Sequence, residues 1–354
     1  MEIGFARNEL PKHLLGAMRY FTDLDVCVEF AASMRWPNGV VCPHCKGERV
    51  SYLKTRRIWK CMIASCHKQF SVKTQSVFED SPIPLDKWLA AVWMIVNCRN
   101  GVSSYEIART VKVTQKSAWF MLHRIRLALR RGNWEKMGGD GGGSPIEADE
   151  CWIGGAPKNK HKNKRGTPPS VPRYIESKRG TWVPNPAYRA KPETPTKVPV
   201  MGILDREARK VRAHVIPRVS REALQGAILA NVEKGSRILT DENNAYTSLN
   251  KLEFVHEAVN HVREYVRGDV HTNGLENFWS LLKRGLRGTY VAVEPFHLDR
   301  YLDEQIFRYN NRQTKDNPLD DRDRFVLAVS EIWGKRLTYR ELTGKVEETG
   351  AVPF

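Results

Sequence analysis

Apolar residues recur along the chain with distinct rhythms. Leu14, Leu15, Met18, Phe21, Val26, Phe30 and Ala31 are spaced as on helices and predict a helical segment over residues 1–36. Residues 37–78 carry short β-like stretches instead. Helical spacing returns between 85 and 135, first in Trp88, Val92 and Ile95, then in Ile107 and Val111. Gly138 to Gly143 (GGDGGG) break the pattern, and from Ser144 short strand-like runs alternate with helices, as in an α/β domain. Val198–Asp205 and Lys210–Ile216 flank a polar turn and predict a β-hairpin. Arg221–Val232 predicts a helix, Arg237–Leu239 a short strand and Gly274–Leu286 another helix.

Composition changes this picture in two ways. The 354 residues are 41% hydrophobic, which supports a real core and excludes wholesale disorder. No apolar run reaches the roughly 18–20 residues of a membrane span. The N-terminal MEIGFARNELPKHLL lacks the apolar stretch of a secretory signal, so the expected location is cytoplasmic, with no membrane partner. Lys plus Arg number 57 against 40 Asp plus Glu, a net charge of +17 that suggests a polyanion partner. Between Pro157 and Pro195, Lys and Arg occur ten times, Glu twice and Pro eight times. That stretch reads either as a solvated insertion or as a basic arm lying along a nucleic-acid backbone through Lys158, Lys160, Lys162, Lys164 and Arg165.

Four of the seven cysteines form two close pairs, Cys42-Pro-His-Cys45 and, after fifteen intervening residues, Cys61-Met-Ile-Ala-Ser-Cys66. Two thiolates at such spacing grip one side of a tetrahedral ion and a second pair closes it, so the quartet predicts a structural Zn2+ site of the zinc-ribbon kind. His44 and His67 are alternative ligands, but four cysteines already complete the set; Cys27, Cys98 and Cys151 fall outside the pattern.

Gly101 to Arg126 reads as a helix–turn–helix. Ser103 or Ser104, with Glu106, can cap the first helix; Val111–Val113 forms the turn, and Thr114 can cap the second. Trp119, Leu122 and Ile125 are expected to face inward, leaving Gln115, Lys116, Ser117 and His123 for DNA.

Three carboxylates stand out by position. Asp149 lies in Glu147-Ala-Asp-Glu-Cys-Trp, Asp241 follows the apolar Ile238-Leu-Thr, and Glu276 lies on a helix 34 intervening residues further on. Brought together, they would form an oxygen-rich site for Mg2+ or Mn2+, with Lys283 two helical turns beyond Glu276 on the same face to hold phosphate. Each has a plainer reading: Asp241 as a helix N-cap, Glu276 as part of a capping box, and Glu147 or Glu150 as the ligand in place of Asp149.

At these residues the chain resembles the bacterial insertion-sequence transposases that join an N-terminal zinc ribbon to a DDE catalytic domain; eukaryotic Merlin elements carry a similar domain. The blocks that carry the resemblance are CPHC…CMIASC, the run from Gln69 through Leu85, Ala148–Gly155, and His271–Tyr290, in the family's order. Cys151-Trp152 stands where similar sequences often have Thr-Tyr, and Tyr290 is followed by Val-Ala-Val rather than a His-containing run. The resemblance implies an α/β, RNase H-like domain, a mixed sheet flanked by helices, preceded by the ribbon and the helix–turn–helix. It implies Asp149, Asp241 and Glu276 as catalytic metal ligands and Lys283 as the basic residue after them, with Asn273 and Asn277 held open as participants. The resulting division is 1–36 helical, 37–80 ribbon, 81–137 helix–turn–helix, 144–315 catalytic with the insertion 157–195, and 316–354 a C-terminal tail.

The implied activity is a DNA transposase that binds terminal inverted repeats, hydrolyses the phosphodiester at the element ends and joins the 3′-hydroxyl to target DNA. Its partners would be double-stranded DNA, contacted also by Arg284 and Arg287, and further copies of itself in a homodimer or higher synaptic assembly. A transposase-derived DNA-binding regulator and a stand-alone structure-specific nuclease are the alternatives.

Overall fold

Local capping signals set the boundaries of the N-terminal helices. The computed structural model describes residues 10–130, 135–139, 144–154, 174–176, 182–184, 197–259 and 270–344. After α1 (Leu14–Tyr20), Asp23 caps α2 (Leu24–Arg35) by accepting from the amide of Asp25 at 2.7 Å. The ribbon follows as three antiparallel strands, β1 (Val50–Leu53), β2 (Ile58–Cys61) and β3 (Gln69–Phe70). Trp59 of β2 stacks on Phe70 and meets the edge of Trp36, so aromatic rings form the small sheet's apolar face.

Three helices come next, α3 (Leu85–Asn97), α4 (Ser104–Val111) and α5 (Gln115–Leu129). Ser103 and Glu106 form a reciprocal capping box on α4, Lys112 turns the chain in the left-handed conformation, and Thr114 caps α5. The helix–turn–helix thus forms where its capping residues predict. One expectation fails: His123 does not face DNA. Its ring is fully buried, 4.5 Å from Trp119 and 4.8 Å from His297 between ring centres, and burial holds it neutral, well below the usual imidazole range. The reason is that α5 packs on α3 on one side and on α8 (Leu298–Asn310) on another, so little of it beyond the first turn reaches solvent.

The α/β half is built on β4 (Ile146–Ile153), β7 (Val198–Asp205), β8 (Lys210–Val215), β9 (Arg237–Asp241) and β10 (Val255–Val259). Between β4 and β7, β5 (Tyr174–Glu176) and β6 (Trp182–Pro184) pair separately. The five strands lie in the order β10-β9-β4-β7-β8. The pairs β4–β7 and β7–β8 are antiparallel, whereas β9 and β10 run parallel with β4. This is the RNase H-like mixed sheet. The hairpin closes with Asp205 opposite Lys210, as the apolar pattern predicts. On one face α6 (Arg221–Asn231) packs Leu224 and Ile228 against Ile146, Met201 and Ile238. On the other, α7 (Asn273–Gly285) and α8 pack Leu275, Phe278, Leu282 and Leu302 against Val200, Leu204 and Val211.

Beyond residue 315, α9 (Asp321–Ser330) returns to the N-terminal helices, where Phe325 stacks on Phe30 at 5.6 Å; a short α10 (Tyr339–Leu342) follows. The helix–turn–helix and the α/β half are joined by buried charge. Arg126 of α5 donates to Glu304 of α8 at 2.7 Å and lies 3.9 Å over the Tyr301 ring, while Arg308 and the Tyr290 hydroxyl bond the other oxygen of Glu304. Glu304 is fully buried and these two cations hold its carboxyl low. Glu304→Ala would leave two buried guanidinium groups uncompensated, so it should cost about 3–5 kcal/mol in urea unfolding. A loss below about 1 kcal/mol, the range of exposed pairs, would contradict this account.

Candidate active site and metal centres

Each ribbon knuckle turns on a non-glycine residue of positive φ, Lys46 after Cys45 and His67 after Cys66. This folds the sulfurs of Cys42, Cys45, Cys61 and Cys66 to within 4.8 Å of one another. Two edges of this cage link the pairs: Cys42 to Cys66 is 3.8 Å and Cys45 to Cys61 is 3.6 Å between Sγ atoms. A tetrahedral zinc with bonds of about 2.3 Å requires S–S edges of about 3.8 Å. The cage therefore fits that ion. Neither His44 nor His67 joins it.

The second cluster is acidic and lies where the sheet's parallel and antiparallel parts meet. The parallel register sets Ile146 beside Ile238 and Glu147 beside Leu239; two residues on, Asp149 and Asp241 reach the same end of neighbouring strands. Carboxylate oxygens of Asp149, Glu150 and Asp241 lie within 4.8 Å of one another. Asp149 Oδ2 accepts from the indole Nε1 of Trp279 at 2.9 Å. Burial nevertheless pushes the Asp149 carboxyl up to about 7; the indole bond opposes this, and the charges of Asp241 and Glu150 add to it. Glu150 is raised as well, chiefly by burial, while the Tyr246 hydroxyl donates to its Oε2 at 2.7 Å and Asn243 to its Oε1. Three acids held together against their own repulsion, with oxygen donors only, fit a divalent cation of the Mg2+ or Mn2+ type.

Glu276 and Lys283 join Asp149 and Glu150 in lining one open cleft of about 710 Å3, together with Trp152, Lys197, Arg284 and Arg287. The lining positions on α7, 276, 279, 280, 283 and 284, follow helical periodicity, and Asn273 and Asn277 are not among them. Asp241 ends β9 rather than capping a helix; the cap of the following short helix is Asn243, which accepts from the amide of Ala245 at 3.0 Å. The α7 N-terminus is not closed by a capping box either. Glu147 reaches across from β4 and accepts from the Leu275 amide at 2.9 Å, while also pairing with Arg206 at 2.7 Å. Its charge is thus spent on a helix terminus and a guanidinium, which removes Glu147 from the metal-ligand alternatives. Lys158, Lys160, Lys162, Lys164 and Arg165 lie outside the described residues.

Residues 141–310 match the ISXO2-like transposase domain and residues 23–69 the transposase zinc-ribbon domain. An uncharacterised protein in the transposable element ISH50 of Halobacterium salinarum is 30% identical over 277 residues, which is 77% of this chain and 85% of that protein. The chain belongs to the ISXO2-like transposases. A crystal structure of a pre-cleavage Mos1 transpososome aligns over 91% of this chain and 99% of its own at 13% identity, with a TM-score of 0.26.

Within this transposase, two supports of the acidic site have no local sequence signal. Trp279 is one; its indole reaches Asp149 only because β7 presents Gly202 beneath it. A Cβ at Gly202 would stand 2.5 Å from Trp279 Cζ2. Gly202→Ala is therefore expected to displace the indole and destabilise the fold by about 1–3 kcal/mol, measurable as a lower urea midpoint. An unchanged midpoint would show that the ring is not held there. Tyr246 is the other: it is wholly buried, and its bond to Glu150 joins the short helix after β9 to β4.

Proposed function

We propose that this transposase binds the terminal inverted repeats of its own element, hydrolyses the phosphodiester at the element ends and joins the freed 3′-hydroxyl to target DNA. The observation that carries the reading is the double placement of Asp149: it meets Asp241 at the end of the neighbouring parallel strand, and it lines one cleft with Glu276 and Lys283 of α7. Asp149, Asp241 and Glu276 would hold Mg2+ or Mn2+, and Glu150, oriented by Tyr246 and Asn243, would lie against them. Bound there, such ions supply Lewis acidity and lower the pKa of water.

Lys283, Arg284 and Arg287 hold the strand's phosphates beside the acids and offset the charge that develops in transfer. Hydrolysis forms one P–O bond to water and breaks one to a 3′-oxygen, which leaves as the hydroxyl. In joining, that hydroxyl attacks a target phosphate and displaces its 3′-oxygen. Bonds and charges balance without a covalent enzyme intermediate. End recognition would fall to the ribbon and the first turn of α5. There Gln115 is steadied by Ser104 at 2.9 Å, Ser117 by Thr114 at 2.9 Å, and Lys116 lies 4.9 Å over the Tyr339 ring. Two ends held together would call for a homodimer or higher assembly.

An assay on DNA carrying the element's ends tests this. Mg2+-dependent cleavage and joining are expected. Cleavage without joining would replace the reading with a nuclease, and end binding without either would replace it with a regulator.

A further inference from the structure

Trp152 is the aromatic ring of the cleft that the chemistry above leaves unused. It sits in β4, two positions beyond Glu150, and is 49% exposed although its strand neighbours Cys151 and Ile153 are buried. The other cleft tryptophan, Trp279, is 4% exposed and commits its N–H to Asp149. Around Trp152 the same cleft presents Lys197, Lys283, Arg284 and Arg287. An accessible indole that shares one cleft with four cations has the composition of a site for a strand with one base turned out: cations follow the phosphates, and a flat ring takes a base face. A protein segment or lipid tail would suit the indole but not that charge. Inside a duplex both faces of a base are covered by its neighbours, so a base can reach Trp152 only if it is unpaired.

We propose that Trp152 is the stacking platform for an unpaired nucleotide next to the scissile phosphate, making the cleft selective for DNA whose end is opened at that point. This rests on the reading of the cleft as the catalytic site. Trp152 is a positioning residue: it fixes the sugar–phosphate beside the base, which presents the phosphate to Asp149, Asp241 and Glu276.

The test compares full-length protein bound in Ca2+ to an element-end duplex and to the same duplex with its terminal nucleotides mismatched. 2-Aminopurine is placed at the nucleotide beside the cleavage point. The wild type is expected to favour the opened end by about 5- to 150-fold, the range for one base stacked on an aromatic side chain. It should also quench the 2-aminopurine. Trp152→Ala should bring the preference to within about twofold of parity and leave the base bright, and Trp152→Phe should retain most of both effects. Because the readout is a ratio within one variant, partial unfolding does not mimic it. An unchanged preference in Trp152→Ala, or a bright base with the wild type because protein covers the ring, would overturn the proposal. If the wild type cleaves yet shows no preference, only this proposal fails; absence of cleavage and joining removes the catalytic reading as well.

Discussion

Asp149→Asn should lower Mg2+-dependent cleavage and joining by on the order of 10³-fold while making the metal-free protein harder to unfold. Both effects come from one charge. Asp149 is held between Asp241 and Glu150 by its strand and by the Trp279 indole, and asparagine keeps the shape and an acceptor oxygen while removing the negative charge. Removing that charge weakens the grip on a divalent cation. It also removes a carboxylate that burial has pushed from 3.8 up to about 7. For such an acid the folded state binds more protons than the unfolded state between those values, so this group subtracts stability as pH rises from about 4 to about 7. The variant should flatten that decline. Thermal melts across the pH range, run beside cleavage assays, separate this from simple loss of fold, because a damaged protein would lose activity and melting temperature together. Asp241→Asn and Glu276→Gln should lose activity comparably, with end binding retained. Full joining by all three variants would remove the site assignment.

Stripping zinc should unfold the ribbon and weaken end binding while the α/β half stays folded. The strands β1, β2 and β3 contain four, four and two residues, too few to stand without a cross-link. Structural zinc binding in comparably small units contributes an apparent ~10–16 kcal/mol, which is in effect their folding free energy. Trp36, Trp59 and Phe70 pack together, and Trp59 shares β2 with Cys61, so chelation should shift tryptophan emission to the red as that cluster opens. Cys42→Ala and Cys45→Ala should behave like the chelated protein, whereas Cys98→Ser, outside the cage, should keep one zinc per chain. Unchanged emission and DNA affinity after zinc is removed would contradict the ribbon's role.

Local signals carried much of the architecture. The capping box of Ser103 and Glu106, the turn at Lys112, the cap at Thr114 and the hairpin closing at Asp205 each arise within a few residues of chain, where side chain and backbone meet whatever the rest of the protein does. The cysteine pairs are legible for the same reason: each knuckle is a local loop, and only the meeting of the two is long-range. Misreadings fall where burial decides. His123 sits on the helix-turn-helix in a position open to solvent in an isolated motif, but α8 covers it. In the strand β10, His256 and Glu257 interrupt Val255, Ala258 and Val259, so the apolar alternation of a strand is lost; it is held by parallel pairing to β9.

The acidic site shows the division most clearly. The chain's residue order alone established a transposase-like set of blocks, the spacing of a zinc cage, and the positions of Asp149, Asp241, Glu276 and Lys283 as candidates. The residues by themselves left Glu147 and Glu150 open beside Asp149, because the three stand within four residues and share the same chemistry; the family resemblance favoured Asp149. The tertiary structure set Glu147 apart and kept Glu150 beside Asp149. Glu147 spends its charge on Arg206 and the start of α7, Glu150 is steered by Tyr246 and Asn243, and Asp149 meets Asp241 and Trp279. A carboxylate's role depends on the charges and donors that face it, and here those come from strands and helices more than fifty residues away, brought close by the packing of the sheet.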